Sequence, residues 1–241
     1  KEFGKTRKTA IENAKEAVFE ENKIEEMNVC FLMDRFGYAK TIDVGTYERN
    51  KEAALAEFKY AIILKNTGRI CLFTNTGQLH TIKMADIPYG KFRDKGIPID
   101  NVSNFSSVTE RIVFLTSQTE INLYRLIFGT RQSMLKVVDG GEFDVSKRTV
   151  AATKLQEDDE VICVEVLKEQ KNIVLQTKEG FFLRFPLEEI PEKKKGAVGV
   201  RGMKLGNSDV VENIYFSQSS AEGVQEISGG QEIEYKGKKV E

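Results

Sequence analysis

One unit occurs four times along the chain. Aligned on Gly37, Gly77, Ser133 and Gly180, the segments read CFLMDRFGYAKTIDVGTYE, ICLFTNTGQLHTIKMADIP, LIFGTRQSMLKVVDGGEFD and IVLQTKEGFFLRFPLEEIP. Each has an apolar run, a polar turn, a second run, and a bend that ends ten residues beyond the anchor in Tyr47, Ile87, Phe143 or Ile190. A pair of short strands cannot shield its own apolar faces, so such units must pack on their neighbours. That excludes a single large core built from long helices.

The turns carry the strand assignment. Asn75-Thr76-Gly77 and Lys178-Glu179-Gly180 put glycine where a tight hairpin needs positive φ. The anchors are separated by 40, 56 and 47 residues, the period of a propeller blade of about four strands. Lys59–Leu64, Glu110–Leu115, Val161–Val166 and Asn213–Phe216 supply a further strand to each unit. The tail holds GVQEISGGQEIEY, a degenerate fifth hairpin. With only 4 prolines and 40% hydrophobic residues, the chain can form many strands and bury them. The expected fold is all-β: a propeller of about five blades, four clear and one degenerate.

Helix is expected at one place. Thr9 with Glu12 three residues on has the spacing of a capping box, and the good helix formers up to Glu26 follow it. Residues 1–26 are read as a partly helical connector from an upstream domain, and 27–241 as the propeller. The chain opens on Lys rather than Met, which fits a piece of a longer protein. Asn50–Phe58 (NKEAALAEF) has helical composition but is assigned to an inter-strand loop.

Chemistry is sparse. A single histidine, His80, excludes paired-histidine metal sites. Cys30, Cys71 and Cys163 sit apart in apolar runs and suggest a reduced, intracellular protein. No apolar stretch is long enough to span a membrane as a helix, and the charged first residues lead into no signal-peptide core. The EDDE run from Glu157 reads as a solvated turn. GAVGVRG, from Gly196 to Gly202, lacks the βαβ setting of a dinucleotide fingerprint. His80 shares an alignment column with Lys40, Lys136 and Leu183, three residues past the anchors. That column reads as a solvent-facing polar position rather than half of a Cys–His pair. No enzyme site emerges.

Basic clusters fall after the hairpins. Lys91, Arg93 and Lys95 follow the second, Lys147, Arg148 and Lys154 the third, and Lys193, Lys194, Lys195, Arg201 and Lys204 the fourth. Lys40 and Lys136 join the candidates as basic side chains of the hairpins themselves. The net charge of −1 excludes a uniformly basic coat, but local cationic loops can still line a phosphate backbone. The glycines around Lys195 would let backbone N–H groups approach phosphates.

These segments resemble the C-terminal domain of the A subunit of bacterial type IIA topoisomerases, DNA gyrase and topoisomerase IV. EFGKTRKTAI resembles the stretch just beyond that family's DNA-cleavage core, and FLMDRFGYAKT, LFTNTGQLHTIKMADIP and FFLRFPLEEIP resemble its repeated hairpins. The resemblance implies a β-pinwheel whose edge binds and bends double-stranded DNA, without catalysis of its own. It also implies an A2B2 parent complex in the bacterial cytoplasm, associated with the nucleoid. There the B subunit binds ATP and the A-subunit core carries the cleavage tyrosine and helps hold Mg2+, so no cofactor is expected in this chain.

Gyrase carries a glutamine-arginine-glycine box in its first blade, where this chain has TYERNKEAALAEF, without glycine and of mixed charge. The expectation therefore leans to a topoisomerase IV-type subunit that orients DNA for strand passage. A gyrase wrapping domain is the alternative, and a propeller that makes only protein contacts is the second.

Overall fold

A computed structural model describes residues 25–218 and the strands at 225–227 and 231–233. The expected helix over Thr9–Glu26 lies outside these residues except for its last two positions, which are not helical.

Each repeat is a hairpin: β1 (Asn28–Asp34) with β2 (Tyr38–Asp43), β4 (Arg69–Thr74) with β5 (Gln78–Lys83), β8 (Arg125–Thr130) with β9 (Met134–Asp139), and β12 (Asn172–Thr177) with β13 (Phe182–Pro186). Gly37, Gly77, Ser133 and Gly180 occupy the same turn position, at φ of 85°, 76°, 64° and 88°. Ser133 holds this left-handed conformation despite its Cβ. It is fully buried, and its Oγ accepts the Met203 N–H at 2.8 Å. Tyr47, Ile87, Phe143 and Ile190, ten residues on, are all buried.

The strand after each hairpin adds to the edge of its first strand: β3 (Phe58–Lys65) on β1, β7 (Ile112–Ser117) on β4, β11 (Val161–Leu167) on β8, and β15 (Val211–Ser217) on β12. These are the four further strands read from the sequence, with boundaries that differ by at most two residues.

The remaining strand of each blade comes from the next unit. β6 (Ile97–Pro98) follows the second hairpin but pairs with β2 of the first blade. β10 (Thr149–Ala151) likewise returns to β5, and β14 (Val200–Arg201) to β9. The sheet orders are β3-β1-β2-β6, β10-β5-β4-β7 and β11-β8-β9-β14, with β13-β12-β15 in the fourth blade among the described residues. The turn residue anchors each return. The carbonyls of Gly37, Gly77 and Ser133 accept from Ile99, Ala152 and Gly202 N–H, each at 2.8 Å. The expected fifth hairpin is present as β16 (Gln225–Ile227) and β17 (Gln231–Ile233).

Side-chain alternation stacks the blades. Val29, Phe31 and Met33 of β1 face Ile70 and Leu72 of β4, whereas Cys71 and Phe73 of β4 face Leu126 and Phe128 of β8. Ile127 turns the other way, towards Ile173 and Leu175. Between the second and third blades, Phe73 meets Phe128 and Phe143 edge-on at centroid distances of 5.7 and 5.4 Å.

Among the described residues no blade packs on the other face of the first. Two short helices do so, α1 (Val44–Arg49) and α2 (Lys51–Glu57), burying Tyr47 and Ala54 against Cys30, Leu32 and Ile42. This corrects the loop assignment for NKEAALAEF, whose small and apolar residues form a helical cap over the end of the stack. Repeat proteins need such a cap to hide a terminal apolar face.

Candidate nucleic-acid interface

The predicted basic clusters lie on the segments that carry each unit back to the blade before it. The return crosses the preceding hairpin at one repeated point, four residues past the anchor. Thr41, Thr81 and Val137 N–H there donate to the carbonyls of Pro88, Arg148 and Pro191, at 2.9, 2.8 and 3.2 Å. From that crossing the first and third returns detour before their strands begin, and these detours carry YGKFRDKG and EKKKGAVG. The second return enters β10 at once.

The column three residues past the anchor explains the difference, and it corrects the solvent-facing reading. Lys40, His80 and Lys136 are 2%, 3% and 1% exposed. Beneath the two detours stand lysines. Lys40 Nζ donates to the carbonyls of Phe92 and Asp94 and lies 4.7 Å from the centre of the Phe58 ring. Lys136 Nζ donates to the carbonyls of Lys195, Ala197, Lys194 and Ala152 at 2.6, 2.9, 3.3 and 3.4 Å. An ammonium carries three donors and no acceptor, so it can gather several carbonyls that a bulging backbone would otherwise leave unpaired.

Beneath the direct return stands the imidazole. His80 bonds Thr149 Oγ1 at 3.0 Å and Glu110 Oε2 at 2.9 Å. Lys40 and Lys136 are therefore set aside as phosphate contacts, because their charge is spent inward. Burial pushes the Lys40 ammonium below its ordinary range and that of Lys136 down to about 8.

The other candidates sit on the returning segments. Lys91, Arg93, Lys95, Lys147, Arg148, Lys154, Lys194, Arg201 and Lys204 are exposed, while Lys193 and Lys195 are half-buried. Lys95 Nζ lies 4.3 Å from the Tyr38 ring centre. Lys193 N–H continues the strand by donating to Val137 at 2.8 Å. Arg201 is fixed in β14, opposite Met134. Gly196 is open, with no atom within 4 Å of where a Cβ would stand, whereas one at Gly199 would lie 2.5 Å from the Leu135 carbonyl.

Two carboxylates beside these loops escape a sequence reading focused on cations. Glu142 Oε1 lies 3.0 Å from Lys194 Nζ, and its Oε2 accepts the Lys195 N–H at 2.9 Å. Asp86 Oδ2 lies 3.2 Å from an Arg148 guanidinium nitrogen. Both stand nine residues past an anchor, a column the alignment already contained.

No Cys–His pair forms. Cys71 Sγ donates to Gln118 Oε1 at 3.0 Å, and both imidazole nitrogens have other partners. Burial pushes the thiols of Cys30, Cys71 and Cys163 up to about 12, far from reactive. Among the described residues no three His, Cys, Asp or Glu side chains gather as a metal site, and no helix is long and apolar enough to cross a membrane.

Stacked antiparallel blades, each completed by a strand from the following unit, define a strand-exchanged propeller repeat protein. Residues 124–168 and 171–217 match the family model of the DNA gyrase C-terminal domain, a β-propeller. The chain is 30% identical to the DNA gyrase A subunit of Lawsonia intracellularis over 79% of its own length, and 28% identical to that of Helicobacter pylori strain 26695 over 87%. It spans about a quarter of the length of these relatives, 25% and 27%.

Among solved structures it resembles the C-terminal domain of DNA topoisomerase IV, with a TM-score of 0.73 and 21% identity over 81% of this chain and 63% of that one. The E. coli ParC C-terminal domain gives 0.61 at 17% identity, over 78% and 79%. The chain is related to the C-terminal propeller domain of the DNA gyrase A subunit, and it shares its fold with that of topoisomerase IV.

Proposed function

We propose that this propeller is a non-catalytic DNA-binding domain of a type IIA topoisomerase A subunit, which bends or orients duplex DNA for ATP-dependent strand passage. The observation that carries the reading is the placement of the basic returning segments, each crossing the preceding hairpin at the same point. Cations repeated in this way suit a backbone-following, sequence-independent contact. In the parent protein the reading implies an A2B2 assembly with an ATPase B subunit, in the bacterial cytoplasm and at the nucleoid. ATP and Mg2+ would be held by parts of that assembly other than this propeller.

Within that role, the chain is more topoisomerase IV-like than gyrase-like. The supporting observation is the first-blade segment TYERNKEAALAEF, where α1 and α2 use Tyr47 and Ala54 to cap the stack. A segment engaged in packing is a poor wrapping loop.

The test is duplex binding by fluorescence anisotropy across a salt series, with a DNA-circle topology assay beside it. Neutralising Lys193, Lys194 and Lys195 together should weaken binding and flatten the salt dependence by about 0.9 in slope for each phosphate no longer neutralised. The Lys91/Arg93/Lys95 triple variant should do the same. Unchanged affinity in both variants would overturn this residue assignment. No duplex binding by the parent sequence at low salt would favour a propeller that makes only protein contacts. Strong chiral wrapping of the circle would favour the gyrase-type alternative.

A further inference from the structure

The two carboxylates nine residues past the second and third anchors repeat one geometry. Asp86 ends the 3-10 turn Met84–Asp86, and Glu142 lies in the 3-10 turn Gly140–Phe143. Each reaches a cation on the segment that the next unit sends back: Asp86 to Arg148 at 3.2 Å, Glu142 to Lys194 at 3.0 Å. Glu142 also takes the Lys195 N–H, at 2.9 Å. An ammonium with an adjacent backbone N–H is the donor set that would receive a phosphate oxygen.

The other two units lack the arrangement. The first has Thr46 in this column, so no carboxylate from it reaches the Lys91–Lys95 loop. The fourth has Glu189, exposed and in none of the ion pairs among the described residues. The Lys195 N–H, followed by the Lys194 ammonium, holds the Glu142 carboxyl below the usual carboxylate range, so it is ionised at neutral pH.

We propose that Glu142 and Asp86 are built-in competitors for DNA, occupying the cations of the third and second blades that a phosphate must claim and thereby setting the affinity of those contacts. This rests on the DNA-binding reading above. It makes the first-blade loop, Lys91 to Lys95, the one available without displacing a carboxylate from the preceding hairpin unit. The device tunes affinity without altering the fold, because Lys194 keeps 86% of its side chain exposed while paired.

The experiment measures duplex affinity of Glu142→Gln, Asp86→Asn and the control Glu189→Gln across a salt series. Glutamine still accepts the Lys195 N–H, so the loop stays anchored while the charge goes. Glu142→Gln and Asp86→Asn should each tighten binding roughly two- to fivefold, the range expected for releasing one exposed ion pair. Glu189→Gln should change it less, since its charge masks no cation.

In a Lys194→Ala/Lys195→Ala background the gain from Glu142→Gln should vanish, which separates masking from a general charge effect. A gain that persists there, or a Glu142→Gln affinity no tighter than that of Glu189→Gln, overturns the inference while leaving DNA binding intact. A parent chain that binds no duplex at low salt overturns both readings together.

Discussion

The ammonium of Lys136 lies 2.6 Å from the carbonyl oxygen of Lys195, so one lysine is buried to hold another near the surface. The two are 59 residues apart and belong to consecutive units. The interaction shapes a loop from below by occupying its backbone acceptors, while its side chains stay directed elsewhere.

Replacing Lys136 by methionine keeps the volume and removes the donors. At neutral pH the cost should be roughly 1–3 kcal/mol, since four carbonyls lose one shared partner, and amide exchange should accelerate first over residues 194–199. Burial lowers the Lys136 ammonium from 10.5 to about 8, so the folded chain sheds this proton before the unfolded chain does. Across that interval the unfolded state binds more protons, and stability from this residue rises with pH. The stability gap between the parent and Lys136→Met should therefore widen between pH 8 and 10.5. Chemical denaturation at several pH values checks it, and a gap that narrows counts against the assignment.

Ser133 combines a left-handed backbone with a buried hydrogen bond. Ser133→Ala keeps the strained φ of 64° and strands the Met203 N–H. Ser133→Gly loses the same bond but relieves the backbone. Alanine should therefore be the more destabilising of the two, by about 1 kcal/mol. Equal midpoints in urea would show that the turn imposes no strain.

Glu110 links the second blade's turn to His80. Burial pushes its carboxyl up, but hydrogen bonds from Thr76 and Thr74 and the contact with His80 outweigh it, leaving the group below 4.5. Its contribution is present above the unfolded value and disappears as pH falls through the lower folded one. Glu110→Gln should cost roughly 1–3 kcal/mol near neutrality. The deficit relative to the parent should shrink below pH 4.5. Thermal midpoints followed into acid test this, and a constant deficit contradicts it.

Two glycines should respond in opposite ways. A Cβ at Gly140 would lie 1.8 Å from the Ile121 carbonyl oxygen and 2.4 Å from that of Tyr124, so Gly140→Ala should separate the α3 helix (Gln118–Leu123) from the third hairpin and lower stability severely. At Gly196 a Cβ meets nothing within 4 Å. Gly196→Ala should leave the thermal midpoint within a degree or two while weakening duplex binding, if DNA approaches that backbone.

Much of the fold is legible from the unit itself. Positive φ is expected at Gly77 and Gly180, and the structure extends it to the aligned Gly37 and Ser133. The buried position ten residues on follows from its unbroken apolar character. Strand exchange is not legible, because β6, β10 and β14 have two or three residues each and pair with a hairpin in the preceding unit. Lys40, His80 and Lys136 mislead for a related reason. Residue type argues for solvent, but groups that arrive later in the chain provide an interior partner: backbone carbonyls for the two lysines, Glu110 and Thr149 for His80. Glu142 and Asp86 share an alignment column, but only the strand exchange turns that column towards the next unit's cations.

Because each blade is finished by the unit that follows it, the order of synthesis becomes an order of folding. A ribosome that has released only the first unit's own three strands has exposed a sheet that still lacks its fourth, and that strand emerges after a second hairpin has passed the exit tunnel. A chain truncated at a unit boundary should lose more than the unit removed, since the blade upstream is left with an open edge. No single cut therefore frees a whole blade: one after Pro98, Ala151 or Arg201 keeps the upstream sheet complete but parts the next hairpin from its remaining strands.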